Sequence, residues 1–209
     1  MNILHVSHIA EFIGTYGFNP NVSQCEAIRR YISLLLRWNQ RISLTRVTDS
    51  DEILRFHFGE SLFAVNRVPI RVGRLADVGS GAGFPGLALK IAVPELDVVL
   101  IESNAKKAAF LAEVSRELAL KCREIIKGRM EDEEPGDGPY DFITARALGN
   151  YPALLKWSCR LLGHAGSLVL WLGEAETLEL AKNNAWIWRD PIQIPGSKRR
   201  FLLVGTPRT

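Results

Sequence analysis

At 209 residues, with 47% hydrophobic and 23% charged side chains, the chain has an ordinary globular make-up, which excludes disordered and fibrous classes. A chain of this length buries roughly 70% of its unfolded surface and needs no covalent staples. Net charge is only +3, but it is unevenly placed: residues 1–74 hold nine Lys or Arg against six Asp or Glu, whereas residues 75–209 hold seventeen of each.

Cys25, Cys122 and Cys159 are dispersed and odd in number, which argues for a reducing compartment and against a disulfide framework. No basic and apolar leader opens the chain, and no run reaches the ~18 apolar residues needed to cross a bilayer. A cytoplasmic protein without membrane contact is expected. His5, His8, His57 and His164 do not cluster with the cysteines at ligand spacing, so no metal is expected.

In chain order, a first helix is expected over residues 2–16. Ser23-Gln24-Cys25-Glu26 has the spacing of a capping box, and Ile28, Tyr31, Ile32, Leu35 and Leu36 recur at three- and four-residue intervals behind it. Arg29, Arg30 and Arg37 fall mainly off that stripe, either as a solvated face or as a surface for a polyanion. A further helix start at 48–52 leads into Ile53, Leu54, Phe58 and Leu62. Residues 1–70 therefore read as a basic helical extension.

From Arg74 the texture changes to short β-branched runs at 75–78, 98–101, 125–127, 142–144 and 168–172, separated by helical patterns. Such alternation predicts parallel strands with right-handed crossovers and helices on both faces. Segments 186–194 and 201–204 lack an intervening helix and are expected as an antiparallel pair at one edge. The expected architecture is α/β: a mostly parallel seven-stranded sheet over residues 71–209 behind the extension. The acidic segment 131–137, with Pro135 and Gly136, reads as a surface loop.

The first strand runs into Asp77-Val78-Gly79-Ser80-Gly81-Ala82-Gly83-Phe84-Pro85-Gly86. Glycines permit positive φ and let a ligand approach the main chain, and Pro85 suits the first turn of a helix whose free amides favour an anion. Glu102 closes the second strand at the distance where doubly wound folds place a carboxylate on ribose hydroxyls; the bland reading is a solvent-facing strand end. Gly81, Gly83 and Gly86 satisfy the dinucleotide spacing, which keeps a nicotinamide oxidoreductase in view. However, Gly79 and Ser80 intervene after the strand, and Asp77 with Gly79, Gly81 and Gly83 matches the first motif of Rossmann-like methyltransferases. In that reading Asp77 either fixes the turn or faces a ligand ammonium.

Further marks run along nearly the whole chain: Trp38-Asn39 with Leu44-Thr45, His57 with Ser61-Leu62, Lys106-Lys107, Phe110-Leu111, Gly128-Arg129-Met130-Glu131 and Arg146-Ala147. Together with the glycine turn they resemble the bacterial glucose-inhibited division protein B family, which methylates guanine N7 in 16S ribosomal RNA. The resemblance implies a class I, Rossmann-like fold that binds S-adenosylmethionine and releases S-adenosylhomocysteine. Its cofactor residues would be Asp77, Gly79, Ser80, Gly81, Gly83, Phe84, Glu102 and Ser103, with Arg129, Met130 and Glu131 by the adenine. Arg146 would be the catalytic residue between cofactor and substrate. The implied partner is 16S ribosomal RNA or the small ribosomal subunit, acted on by a monomer. RNA would be captured by Arg30, Arg37, Arg41, Arg55, His57, Lys106, Arg199 and Arg200, since arginine forks match phosphate.

The chain departs from the family pattern at Leu172, where a lysine is usual before Gly173, at Phe56 in place of an arginine before His57, at Glu60 in place of aspartate, and at Ser43 in place of asparagine. These departures keep open a catalytically weak ribosome-assembly factor that retains the cofactor fold.

Overall fold

The computed structural model describes residues 4–132 and 139–208. Positions 2 and 3 of the first expected helix, and 133–137 of the expected acidic loop, lie outside the described residues; Glu131 and Asp132 sit in a 3₁₀ turn, Met130–Asp132.

The extension holds α1 (Val6–Gly14) and α2 (Val22–Asn39). Helix α2 starts two residues before the expected box: Asn21 accepts the Gln24 amide and Gln24 returns a bond to the Asn21 amide, so the reciprocal cap is Asn21/Gln24 rather than Ser23/Glu26. Freed from capping, Glu26 pairs with Arg29 on the same helix. Asn39 then stitches the following turn, its Oδ1 accepting the amides of Leu44 and Thr45 at 2.8 and 3.0 Å. A further helical run begins at Asp49, whose side chain caps α3 (Ser50–Ile53), and continues through a π-helical segment, Leu54–Gly59, into α4 (Glu60–Leu62) and a 3₁₀ turn, Phe63–Asn66.

Then come β1 (Gly73–Val78), α5 (Gly86–Ala92), β2 (Leu96–Ile101), α6 (Ala105–Glu117), β3 (Glu124–Ile126), β4 (Tyr140–Arg146), α7 (Tyr151–Leu161), β5 (Leu162–Gly173), α8 (Glu174–Leu180), β6 (Trp186–Trp188), β7 (Ile192–Gln193) and β8 (Arg200–Pro207). The sheet order is β3-β2-β1-β4-β5-β8-β6, with β7 also on β8. Strands β1 to β5 are mutually parallel and β8 runs antiparallel to β5. Among the described residues eight strands stand where seven were expected, because Pro191, which has no amide hydrogen for a ladder, follows β6 and splits the 186–194 segment in two.

Alternation along the strands sorts the core into two layers. Leu75, Val98, Leu100, Phe142, Val169 and Trp171 face α5, α6 and the whole helical extension, while Ala76, Val99, Ile101, Ile143, Leu168 and Leu170 face α7 and α8. The extension is thus no separate body: Ile9, Tyr31 and Phe58 belong to the same buried cluster as one face of the sheet. Among the described residues no helix is long and apolar enough to cross a membrane.

Candidate functional site

Strand β1 lies between β2 and β4, so the strand order reverses there and the carboxyl ends open a crevice at that point. The glycine turn fills its floor. Gly79, Gly81 and Gly83 take φ values of +70°, +57° and +87°. The amides of Gly79 and Ser80 both donate to the Ile101 carbonyl, and the Gly81 amide donates to Glu102 Oε2 at 2.8 Å.

Asp77 has no exposed surface; Oδ1 accepts the Thr144 hydroxyl at 2.7 Å and Oδ2 the Gly86 amide at 3.1 Å. Of its two expected roles it therefore takes the first and fixes the turn. The anion at the start of α5 is this carboxylate, so the expectation that a ligand would occupy those amides is corrected. Burial, only partly offset by the bonds from Thr144, Gly86 and Ser80, pushes the Asp77 carboxyl from its ordinary 3.8 to about 6. The folded chain then binds a proton where the unfolded chain has lost it, so this group lowers stability as pH rises from about 4 to about 6 and changes little above that. Urea midpoints should show wild type losing ground to Asp77→Asn across that window; a pH-independent difference would contradict it.

A cavity of about 230 Å³ opens beside the turn, between β1, β2 and β4, walled by Gly79, Ser103, Arg129, Met130, Glu131 and Leu148. Met130 and Ile101 give it an apolar wall, and Glu102, 6% exposed, closes β2 with a carboxylate whose Oε1 accepts the Asn104 amide. A Cβ on Gly79 would come within 3.0 Å of Leu148 Cδ1, so the turn and the β4–α7 loop approach closely there. Apolar walls for a base, a carboxylate at the strand end and bare backbone at the floor suit a nucleoside with a charged tail.

A second cavity, about 330 Å³, is lined by Glu60, Arg146, Trp171, Leu172, Glu176 and Arg200, among others. Among them is Glu60, 2% exposed, whose Oε2 accepts from Arg146 Nη2 at 3.0 Å and whose Oε1 pairs with the Arg200 guanidinium, with Nη2 2.9 Å away. Trp171 Nε1 donates to the Glu60 carbonyl at 2.6 Å, and Arg146 Nη2 also donates to the Phe56 carbonyl at 2.6 Å. Burial raises the Glu60 carboxyl above its ordinary value, against the pull of Arg146, Arg200 and Arg55. Arg146 Nη1 is buried and, among the described residues, has no hydrogen-bond partner. A buried donor without an acceptor marks where one is to be supplied.

Of the expected cofactor residues, the structure gathers Gly79, Ser103, Arg129, Met130 and Glu131 around the first cavity, while Gly81 and Glu102, joined to each other by a hydrogen bond, follow lining residues Gly79 and Ile101 in the chain and are not themselves in its wall. It turns others inward. Ser80 is 1% exposed and bonds the Asp77 carbonyl, and Gly83 lies against Tyr31. The ring of Phe84 is stacked between Tyr31 and His57, with centroids 5.3 and 4.8 Å away, so its side chain is core rather than cofactor wall. Arg146 stands at the second cavity and not the first.

Among the expected RNA residues, Arg37, Arg41, Lys106 and Arg199 are exposed. Arg30 bonds the Glu117 carbonyl and pairs with its carboxylate, tying α2 to the end of α6. Arg55 donates to the Gly196 carbonyl at 2.8 Å, and Arg200 is the partner of Glu60. His57 is corrected: its Nε2 shares a hydrogen bond with Thr45 Oγ1 at 2.9 Å, its ring stacks on Phe84, and burial with nearby Arg146 and Arg200 lowers its pKa to about 3. It is a neutral packing group. Sequence reasoning missed Glu60, Trp171 and Phe56 as site residues; a carboxylate inside the apolar run Leu54, Phe58, Leu62 was the available signal for the first.

The family model described as GidB, rRNA small subunit methyltransferase G, matches residues 24–194. The ribosomal RNA small subunit methyltransferase G of Roseiflexus castenholzii is 36% identical over 201 residues, covering 91% of this chain and 86% of that protein. The protein of the same name from Xanthomonas campestris pv. campestris is 40% identical over 181 residues, covering 84% of this chain and 83% of that one. Among solved structures, a SAM dependent methyltransferase from Aquifex aeolicus superposes with a TM-score of 0.60 at 17% identity, covering 70% of this chain and 88% of that one. A ribosomal protein L11 methylase from Lactobacillus delbrueckii subsp. bulgaricus gives 0.61 at 15%, covering 72% and 78%. At such low identity these two establish the fold, that of class I methyltransferases.

Proposed function

We propose, from the premise that this chain belongs to the GidB family of rRNA small subunit methyltransferase G proteins, that it methylates N7 of a guanine in 16S ribosomal RNA. It is an S-adenosylmethionine-dependent 16S rRNA methyltransferase, and neither a nicotinamide enzyme nor a bare assembly factor is favoured by any feature of the site. The observation that carries the finer reading is the buried Arg146 Nη1, which has no acceptor among the described residues and belongs to a residue lining a second cavity besides the one suited to a nucleoside.

The residues of the first cavity fit the cofactor. Met130 and Ile101 would flank the adenine, Glu102 would accept from the ribose hydroxyls with the lone pairs left free by Gly81 and Asn104, and the exposed backbone of Gly79 would meet the amino-acid tail. When bound, S-adenosylmethionine supplies an electrophilic methyl group on a sulfonium sulfur.

Guanine N7 offers an in-plane lone pair and carries no proton, so no side chain has to act as a base. That agrees with a neutral His57 turned toward Thr45 and Phe84. The protein's work is alignment, which in favourable cases contributes about 7 to 11 kcal/mol. Arg146 Nη1 would donate to an acceptor of the substrate or cofactor, and Trp171 would wall the base. Because positive charge passes to the base during transfer, the carboxylate between Arg146 and Arg200 makes the cavity less hostile to it.

Exposed Arg37, Arg41 and Arg199 would bind phosphates of a looped rather than regular duplex RNA, since the base must leave its stack to enter. Replacing Arg37 and Arg199 by alanine should weaken RNA binding and flatten the log-log salt slope by about 1 for each phosphate no longer neutralised, with cofactor affinity unchanged. An unaltered slope would remove this surface from the account. The N7 assignment is tested by borohydride reduction and aniline cleavage of RNA methylated by the purified protein: a single scission is expected, and methylated RNA that resists cleavage would place the methyl elsewhere.

A further inference from the structure

Glu60 comes from the helical extension, yet both of its carboxylate oxygens are spent on arginines of the sheet: Arg146 at the end of β4 and Arg200 at the start of β8. Burial and the neighbouring Arg200 guanidinium weaken the hold of Arg146 on its charge, against the pull of Glu60. Only a carboxylate between them allows both to line one cavity. The seat has further parts: the Phe56 ring lies under Arg200 at 4.8 Å and Arg55 at 5.2 Å, and its carbonyl takes a hydrogen from Arg146. Trp171 Nε1 clamps the Glu60 backbone, and Gly59 has no Cβ because one would fall 2.5 Å from the Tyr16 ring beside α1.

We infer that Glu60 is the positioning residue of the transfer step, holding Arg146 and Arg200 in one geometry, so that the helical extension completes the substrate cavity and does more than bind RNA. Phe56 serves the same end by seating Arg200 over its ring and by accepting from Arg146 through its carbonyl. The inference rests on the methyltransferase reading above. It differs from that reading in assigning the arrangement of the cavity to a residue that need not touch substrate.

The test is methyl transfer to small ribosomal subunits under saturating RNA by wild type, Glu60→Gln, Glu60→Asp and Phe56→Leu, with cofactor affinity measured in parallel by calorimetry. In Glu60→Gln, kcat should fall about 10²-fold, the scale of an ångström-sized misplacement, while cofactor affinity stays within about three-fold because the first cavity does not include Glu60. Glu60→Asp, which keeps the charge, should recover most of the rate. Should Glu60→Gln fail to fold, Phe56→Leu carries the same expectation, a fall in kcat at constant cofactor affinity, without leaving a buried charge alone. Full kcat in a folded Glu60→Gln or Phe56→Leu protein, or equal loss of kcat and cofactor affinity, overturns the inference. A wild-type protein that transfers no methyl group overturns the underlying reading instead.

Discussion

Gly83→Ala should lower the stability of the chain by about 3 kcal/mol and abolish cofactor binding with it. Two effects combine. At φ +87° any side chain is strained, and the new Cβ would stand 2.0 Å from the Tyr31 hydroxyl and 2.8 Å from Leu87 Cδ1. Tyr31 cannot swing away freely: it is fully buried, donates to the Ala82 carbonyl at 2.7 Å, and packs against Phe58, Phe84 and Phe110. The glycine turn is thus clamped from below by a residue of the extension. Because the worst clash is with the hydroxyl oxygen, Tyr31→Phe, which alone costs about 1 kcal/mol, should recover part of the loss when combined with Gly83→Ala. Urea unfolding of the four proteins checks this, and strictly additive losses would show that the clash is relieved some other way.

Arg146→Ala should have the largest effect on the reaction. It removes one of the two cations facing Glu60 and leaves that carboxylate in the interior with Arg200 alone, which by the experience of broken buried pairs costs about 3 kcal/mol of stability. It also removes the unpartnered Nη1 of a residue lining the second cavity, and loss of one preorganised donor typically lowers turnover by about 10²- to 10³-fold. Arg146→Lys keeps the charge but not the planar fork that reaches Glu60, the Phe56 carbonyl and the substrate side together, so it should restore stability more than rate. Single-turnover transfer and chemical unfolding on the same preparations separate the two. A fully active Arg146→Ala enzyme would show that the second cavity is not where the base is held.

Much of the fold was legible because alternation in strands and the glycine turn are local signals. The β-branched runs marked the five parallel strands, whereas Asp77 could be read either as fixing the turn or as facing a ligand ammonium, and only its burial with both oxygens bonded inside the protein decides for the turn. The misplaced cap and the miscounted strand have local causes too: Asn21 and Gln24 cap the helix two residues earlier, which leaves Ser23 inside its first turn, and Pro191 broke a segment whose apolar pattern looked continuous. Phe84 and His57 could not be placed from sequence, since both sit in motifs that point to ligands but face the extension once it folds over the sheet. Glu60 was visible only as a departure from the family pattern. Its role depends on Arg146 and Arg200, which lie 86 and 140 residues away in sequence and meet only through the sheet topology. Leu172, where a lysine is usual, is 3% exposed and packs with Leu170 and Leu203 under α7 and α8, so the missing cation has been replaced by core.

The most direct measurement is a calorimetric titration of the purified protein with S-adenosylmethionine, paired with transfer of its labelled methyl group to small ribosomal subunits, for wild type and for Gly79→Val. Wild type should bind the cofactor and place one methyl group on each 16S ribosomal RNA, and the variant, whose side chain would crowd Leu148 at the mouth of the first cavity, should do neither. A wild-type protein that takes up no cofactor with or without RNA, or a Gly79→Val protein that binds and transfers as wild type does, would contradict the assignment of that cavity.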